Sequence, residues 1–257
     1  MIDFHTHILP KVDDGSENIE MSLRMIEASH EEGVDYICST PHFIKSELEI
    51  NKSDYDEGLE ILRQSCPYLQ PIILSGLEIY INPDLPELYR EGLIWGLNNT
   101  SYILIELPMQ QFPIYTEKVF YRLRLDGLIP IIAHPERNLN ILNNPKLLLN
   151  LVEQGTIVQM NSGSLLGLYG SKIKKFAEEL VSKNLVHLLG SDTHNITNRP
   201  ARLKEGYHAI KRLNLPLYQW IIENETKIVN NMEIELPELL NIKTKKSYFF
   251  NLFGKNY

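Results

Sequence analysis

Two histidines one residue apart, His5 and His7, are the first sign of chemistry in the chain. Side chains two apart on an extended strand point to the same face, so both imidazoles can reach one metal ion. Such a pair is common enough by chance to mean little alone. Six further residues of ligand type change its weight: His42, Glu78, Glu106, His134, Asp192 and His194. One of the adjacent carboxylates Asp13 and Asp14 is expected to join them, with Gly15 supporting a tight turn. That is too many donors for a single ion, which takes roughly four to six with water among them. Two or three ions are therefore expected, with at least one bridging carboxylate. Imidazole and carboxylate without thiolate suit manganese, zinc or iron.

Arg137 lies just past His134, and Arg199 follows His194 by five residues. Guanidinium groups bind phosphate oxygens bidentately and stabilise charge in phosphoryl transfer. Beside a metal cluster they point to a phosphate clamp, with Arg202 a weaker third candidate. The expected reaction is hydrolysis of a phosphate monoester by metal-bound hydroxide. A cysteine phosphatase needs an arginine six residues after its thiolate. Ile44 and Ile72 hold those places relative to Cys38 and Cys66, so both cysteines read as core residues.

Short β-branched runs alternate with amphipathic stretches, and this is what could bring such distant residues together. The expected strands are 2–5, 36–39, 72–75, 102–106, 129–133, 157–160 and 186–189. The expected helices are 20–32, 55–64, 115–126, 145–154, 172–183 and 200–212. Strict alternation implies parallel strands with crossover helices. Seven of them suggest a closed or nearly closed α/β barrel, with an open doubly wound sheet as the alternative. Every candidate ligand then falls at the C-terminal end of a strand, where parallel barrels place their sites. In the first helix Leu23, Met25, Ile26 and Ala28 are expected to share the buried face, with Gly33 as its stop. Asn144 is expected to cap the helix that begins at Pro145, and Gly155 to close it. Segment 43–54 has no period and reads as a loop over the site. His30 and His208 read as surface residues, and His187 as packed or hydrogen-bonded. Asp3 either orients His5 or is a satisfied buried carboxylate. Asn161-Ser162-Gly163 either lines the pocket or forms a turn.

A chain of 257 residues fits one barrel domain spanning 1–257. Its formal net charge of −8 argues against a nucleic-acid backbone as ligand. Two cysteines make no disulfide framework, and no signal peptide or membrane-length apolar run is evident, so the cytoplasm is the expected location. The segment at about 243–257 differs from the body, with a basic run at Lys243–Lys246 and an aromatic one at Phe249–Phe253. It reads as a terminal element packed on the barrel, with a docking tail as the alternative.

The motifs Asp3-Phe4-His5-Thr6-His7, Asp13-Asp14-Gly15, Thr40-Pro41-His42, Gly76-Leu77-Glu78, His134-Pro135-Glu136-Arg137 and Ser191-Asp192-Thr193-His194 together resemble the polymerase-and-histidinol-phosphatase (PHP) superfamily. Within it, His7-Ile8-Leu9-Pro10 followed by Val12-Asp13-Asp14-Gly15-Ser16 is similar to the bacterial capsule-associated protein tyrosine phosphatases. The resemblance runs from Met1 to about Arg212. It implies a distorted seven-stranded (β/α) barrel of PHP type and a trinuclear, usually manganese-activated site. By that resemblance His5, His7, Glu78 and Asp192 hold one ion, and Glu78, Glu106 and His134 a second. Asp14, His42 and His194 hold the third, and Arg137 and Arg199 bind phosphate. The implied activity is that of a phosphotyrosine-protein phosphatase (EC 3.1.3.48) acting on a bacterial tyrosine kinase tail in capsule or exopolysaccharide export. The competing readings are a small-molecule phosphatase such as a histidinol-phosphate phosphatase, a nuclease, and a non-enzymatic kinase scaffold. The family's ring assemblies allow a homo-oligomer, although the sequence carries no unambiguous assembly signal.

Overall fold

A computed structural model describes residues 1–67 and 70–240; the basic and aromatic run at 243–257 lies outside the described residues. The chain runs β1 (Ile2–Thr6), α1 (Ile19–Glu31), β2 (Tyr36–Ser39), β3 (His42–Phe43), α2 (Lys52–Ser65), β4 (Ile72–Ser75), β5 (Glu78–Tyr80), α3 (Leu85–Arg90) and β6 (Tyr102–Glu106). It continues through α4 (Thr116–Leu125), β7 (Ile129–Ala133), α5 (Leu139–Asn143), α6 (Lys146–Glu153), β8 (Ile157–Asn161) and α7 (Ser162–Leu166). The described part ends with α8 (Ser171–Ser182), β9 (Leu188–Gly190), α9 (Leu203–Leu213) and α10 (Leu215–Val229). All paired strands are parallel, in the orders β1-β2-β4 and β3-β5-β6-β7-β8-β9. Each expected strand has a counterpart, the last shifted from 186–189 to Leu188–Gly190 so that Val186 and His187 lie before it.

Among the described residues, nine strand segments form seven strand paths, because two paths are interrupted. Ser39 pairs with Ser75, and beyond the interruption His42 pairs with Glu78 in the same register. Pro41 has no N–H to donate to a ladder, and Gly76 sits where a Cβ would come within 2.8 Å of Leu97 Cδ2. His42 and Glu78 therefore begin new strand segments; the sequence placed them after the ends of old ones. On the other side the ring closes at its upper rim. His7 N–H donates to Thr193 O at 3.0 Å and Asp192 N–H to His5 O at 2.8 Å, with a parallel bridge between Thr6 and Thr193. The architecture is a distorted seven-stranded α/β barrel, so the open doubly wound alternative is not formed.

Alternation along the strands fills this barrel. Tyr102 and Leu104, Ile131 and Ala133, and Ile157 join one apolar cluster. Ile103, Ile105, Ile132 and Val158, on the opposite faces, pack with helix residues such as Phe120, Leu148 and Leu180 in the other. Strands β1, β6 and β8 are buried along their whole length, as expected of strands covered on both faces. The inward parity continues upward from Leu104 to Glu106 and from Ile157 to Gln159, so an apolar interior turns polar at the rim.

Several local expectations shift. The buried stripe of α1 is Ser22, Met25, Ile26 and Ser29, leaving Leu23 and Ala28 half-buried at its edges. Pro145 is the cap residue of α6, and Asn144 instead ends α5. Segment 43–54 is not a loop throughout: Phe43 belongs to β3, Ile44 bridges Leu48, and α2 begins at Lys52. Cys38 is buried, whereas Cys66 ends α2 half-buried. His30 and His208 are exposed, as expected.

His187 is a buried histidine outside the rim. Its Nδ1 accepts the Val158 N–H at 2.9 Å, so its proton sits on Nε2. Burial pulls its pKa down to about 3. The unfolded chain takes up a proton below pH ~6.5, which the folded chain refuses until about pH 3. This contribution to stability is therefore complete above pH ~6.5 and is lost as pH falls toward 3. Between pH 7 and 5.5 it amounts to about 1 kcal/mol. Denaturant melts of metal-free protein should show His187→Gln losing less stability than wild type across that interval, by this amount. Identical pH dependence would refute it.

Candidate active site

Glu78 is the hub of the rim. Its Oε2 lies 3.0 Å from His5 Nε2, 3.2 Å from His7 Nε2 and 3.0 Å from His42 Nδ1, and its Oε1 lies 2.8 Å from His134 Nε2. Asp192 Oδ1 stands 3.7 Å from His5 Nε2, 3.4 Å from His7 Nε2 and 3.5 Å from His194 Nδ1. Asp14 Oδ1 lies 3.5 Å from His42 Nε2 and 3.2 Å from His194 Nε2. Glu106 completes the group, 3.8 Å from His134 Nε2 and 3.9 Å from His42 Nδ1. The fold thus brings together all nine residues that the sequence singled out as ligands.

This donor set fits metal ions. Atoms held at ~2.1 Å by one ion stand roughly 3.0–3.5 Å apart for octahedral to tetrahedral angles, which is the spacing among His5, His7 and Glu78 and from His7 to Asp192, with His5 to Asp192 slightly wider at 3.7 Å. His5 Nε2 and His7 Nε2 are 3.1 Å apart. Each ring has a partner for its other nitrogen: Gln159 Oε1 at 3.1 Å from His5 Nδ1, and Asp13 Oδ2 at 2.7 Å from His7 Nδ1. Those partners accept the Nδ1 protons and leave both Nε2 lone pairs facing the same space. His42 Nδ1, Glu78 Oε2 and His194 Nε2 are buried and make no hydrogen bond, which is costly without a cation. Burial would push the Glu78 carboxyl up, but His5, His42 and the His134 contact hold it well below the usual range. Glu106 goes the other way. Burial, then the Glu78 and Asp192 charges, push it up to about 9. Three carboxylates so close cannot all ionise cheaply until positive charge arrives, and bound cations supply it.

Asp13 and Asp14 divide their work: Asp14 faces the histidines, while Asp13 takes the His7 proton and also accepts the His42 N–H at 2.9 Å. Asp3 accepts the N–H of Ser191 at 2.8 Å and of His5 at 3.3 Å, so it clamps backbone and leaves the His5 ring to Gln159. Asn161 ends β8 and caps α7, so the motif opens a helix where a turn was one reading, and Asn161 does not line the cavity but supports Asp192 from behind it. Its Nδ2 donates to Asp192 Oδ2 at 2.7 Å, and its Oδ1 accepts from Gln159 Nε2 at 3.0 Å. Gln159 and Asn161 therefore form a two-amide chain from His5 to Asp192. Two of the candidate ligands sit on left-handed backbone, His134 at φ 29° and Asp192 at φ 54°. By the alternation of Ile131 and Ala133, residue 134 would face outward. The left-handed turn brings its ring to Glu78, and such non-glycine outliers cluster at functional sites.

The arginines complete the site. Asp192 Oδ2 accepts from Arg137 Nη1 at 2.7 Å and from Arg199 Nη2 at 2.6 Å. One carboxylate thus turns one oxygen to the histidines and the other to both guanidinium groups. Arg199 Nε is a buried donor with no acceptor. Arg202, by contrast, forms a bidentate pair with Glu205 at the surface. A cavity of about 170 Å³ lies between Asp14, Glu78, Glu106, His134, Arg137 and Arg199. That is below the ~300–1,000 Å³ of pockets that enclose a drug-sized ligand.

Residues 1–230 match the family model for capsular polysaccharide synthesis, CpsB/CapC. The chain belongs to this family. It is 36% identical to the tyrosine-protein phosphatase YwqE of Bacillus subtilis, over 97% of this chain and 100% of YwqE. It is 34% identical to the tyrosine-protein phosphatase CpsB of Streptococcus agalactiae serotype III, over 90% of this chain and 99% of CpsB. A solved structure from work on YwqE of Bacillus subtilis and CpsB of Streptococcus pneumoniae, described as unique metal-dependent tyrosine phosphatases, superposes with a TM-score of 0.87. It is 35% identical, over 94% of this chain and all of that one. The lactonase Lmo2620 of Listeria monocytogenes, 13% identical with a TM-score of 0.50 over 92% of each chain, shares the fold alone. The PHP-type barrel and membership of a family of tyrosine-protein phosphatases thus agree with the sequence resemblance. Among the described residues, no helix is long and apolar enough to cross a membrane.

Sequence reasoning missed Gln159, Asn161's bond to Asp192, and Tyr169, whose ring lies 4.2 Å from Arg137 Cζ. One signal was available: Gln159 is a polar residue in phase with Ile157 inside the run Ile157–Asn161.

Proposed function

We propose that this CpsB/CapC protein hydrolyses phosphotyrosine esters at a site of two or three manganese ions held by His5, His7, Asp14, His42, Glu78, Glu106, His134, Asp192 and His194. The observation that carries this reading is Asp192, whose one carboxylate joins the imidazole cluster to Arg137 and Arg199. His5, His7, Glu78 and Asp192 would hold one ion, Glu78, Glu106 and His134 a second, and Asp14, His42 and His194 the third. Bound metal supplies Lewis-acid charge that activates water and draws charge from the phosphoryl oxygens.

The chain's own residues do the rest. Arg137 and Arg199 hold phosphoryl oxygens that face away from the imidazoles. Asp192 fixes both guanidinium groups before substrate arrives, so little ordering remains to be done on binding. Gln159 and Asp13 hold His5 and His7 in the tautomer that presents Nε2. A tyrosinate leaving group, with a phenol pKa of about 10, departs with little help from a general acid. The buried Cys38 thiol, pushed up by burial, has no part in the attack. The family's link to capsular polysaccharide synthesis supports a bacterial tyrosine kinase tail as the partner. The small cavity of about 170 Å³ supports a phosphate carried on a larger chain over a wholly enclosed small molecule.

Metal analysis and a substrate panel test this together. Manganese-loaded protein is expected to hydrolyse a phosphotyrosine peptide faster than histidinol phosphate, and chelator is expected to abolish turnover. Full activity in chelator would sink the metal mechanism. A large preference for histidinol phosphate would overturn the substrate.

A further inference from the structure

The Arg137 guanidinium is held from two directions. At its edge Nη1 donates to Asp192 at 2.7 Å, and over its face lies the Tyr169 ring, 4.2 Å from Cζ to centroid. Tyr169 is half-buried on the loop between α7 and α8, against Arg137, which lines the cavity. That loop is built to a fixed shape. Gly167 and Gly170 flank the Leu168–Tyr169 pair on left-handed backbone at φ 85° and 95°, which side chains rarely adopt. Leu168 N–H donates to Gly163 O at 2.9 Å, and Gly170 N–H to Gly167 O at 3.1 Å. Gly163 has no side chain, and a Cβ there would come within 3.4 Å of Tyr169 Cε2, so the ring lies directly on α7. The loop brings an aromatic face to a cation whose side chain is 17% exposed.

We propose that Tyr169 is a positioning residue of the phosphate clamp: its ring, and not its hydroxyl, holds the Arg137 guanidinium in the plane that receives the phosphoryl oxygens. The carboxylate fixes where the guanidinium edge points; the ring fixes its tilt and shields its outer face from water. A cation held over a π-face in a partly desolvated site is worth far more than the same pair in open solvent. Buried as it is, and facing the Asp192 charge, the Tyr169 phenol is pushed up and stays neutral, so it does not compete with phosphate as an anion.

The inference rests on the reading of Arg137 as a phosphate ligand, and its test separates the two. Inorganic phosphate binding to manganese-loaded protein is measured by calorimetry, beside kcat and KM for a phosphotyrosine peptide, metal content and thermal melting. Tyr169→Leu keeps apolar bulk against Gly163 but removes the π-face, and is expected to weaken phosphate binding by roughly 3- to 30-fold with metal content unchanged. Tyr169→Phe restores the face and is expected to recover the affinity. Wild-type phosphate affinity in Tyr169→Leu would overturn the proposal. So would a Tyr169→Phe variant as weak as Tyr169→Leu, which would assign the role to the hydroxyl. Loss of metal in Tyr169→Leu would also overturn it, placing the effect on the ligands. A wild-type protein inert toward every phosphoester would instead sink the phosphatase reading, while the phosphate titrations still judge Tyr169.

Discussion

Glu78→Gln is expected to lose bound metal and activity together, with kcat/KM falling ~10³-fold or more, equivalent to about 4 kcal/mol. Glutamine has nearly the shape of glutamate, so the barrel keeps its packing and the change is one of charge and donors. Both carboxylate oxygens are in use: Oε2 faces the ring nitrogens of His5, His7 and His42, and Oε1 faces His134. Whichever way the amide turns, its NH₂ points at imidazole lone pairs that should converge on a cation. An amide also cannot bridge two ions as a carboxylate does. The readouts are metal content per chain, turnover, and the rise in melting temperature on adding manganese, because an ion bound only by the folded state stabilises it by about 2.7 kcal/mol at a hundred times its Kd. Wild-type metal content with wild-type turnover would show that Glu78 bridges nothing.

What the sequence made legible is what local rules govern. The seven strand paths appear as β-branched runs of four or five residues, and each ends beside a polar residue because the barrel interior turns from apolar to polar along one parity. His5, Glu106 and Asp192 could be read from that alone. The interruptions at Pro41 and Gly76 could not, because they look like ordinary turns until the register of His42 against Glu78 shows the strand resuming. The left-handed backbone that swings His134 inward leaves no mark in composition. Helices α3, α5 and α7 span five or six residues, too few for a 3.6-residue period to show. Helix α10 was legible and overlooked: Asn214 followed by Pro216 is a start signal, and Asn214 Oδ1 accepts the Leu217 N–H as the cap. Contacts that span the fold were the least accessible. Gln159 to His5, Asn161 to Asp192 and Tyr169 to Arg137 each depend on which strand or loop lies next to which, and no spacing along the chain encodes that.

Asp192→Asn separates the two halves of the site within one residue. Asparagine accepts the left-handed backbone at position 192 as readily as aspartate does, so no backbone penalty confuses the result. Asp192 Oδ2 takes three donors, from Arg137, Arg199 and Asn161, while Oδ1 faces His5, His7 and His194. An asparagine amide can satisfy only one side. With its oxygen toward the arginines, its NH₂ occupies the space between three imidazoles and metal is lost. With its oxygen toward the imidazoles, its NH₂ meets three donors and the clamp opens. The three donors outnumber what the other side can offer, so the first orientation is expected: metal content falls, kcat/KM drops by ~10³-fold, and Arg137 and Arg199 stay ordered. The removed charge also lets Glu106 ionise more easily, since Asp192 is one of the groups that push it up. Metal analysis and phosphate titration on the one variant decide the matter. Unchanged metal content with lost phosphate binding would reverse the orientation, and loss of neither would remove Asp192 from the centre of the mechanism.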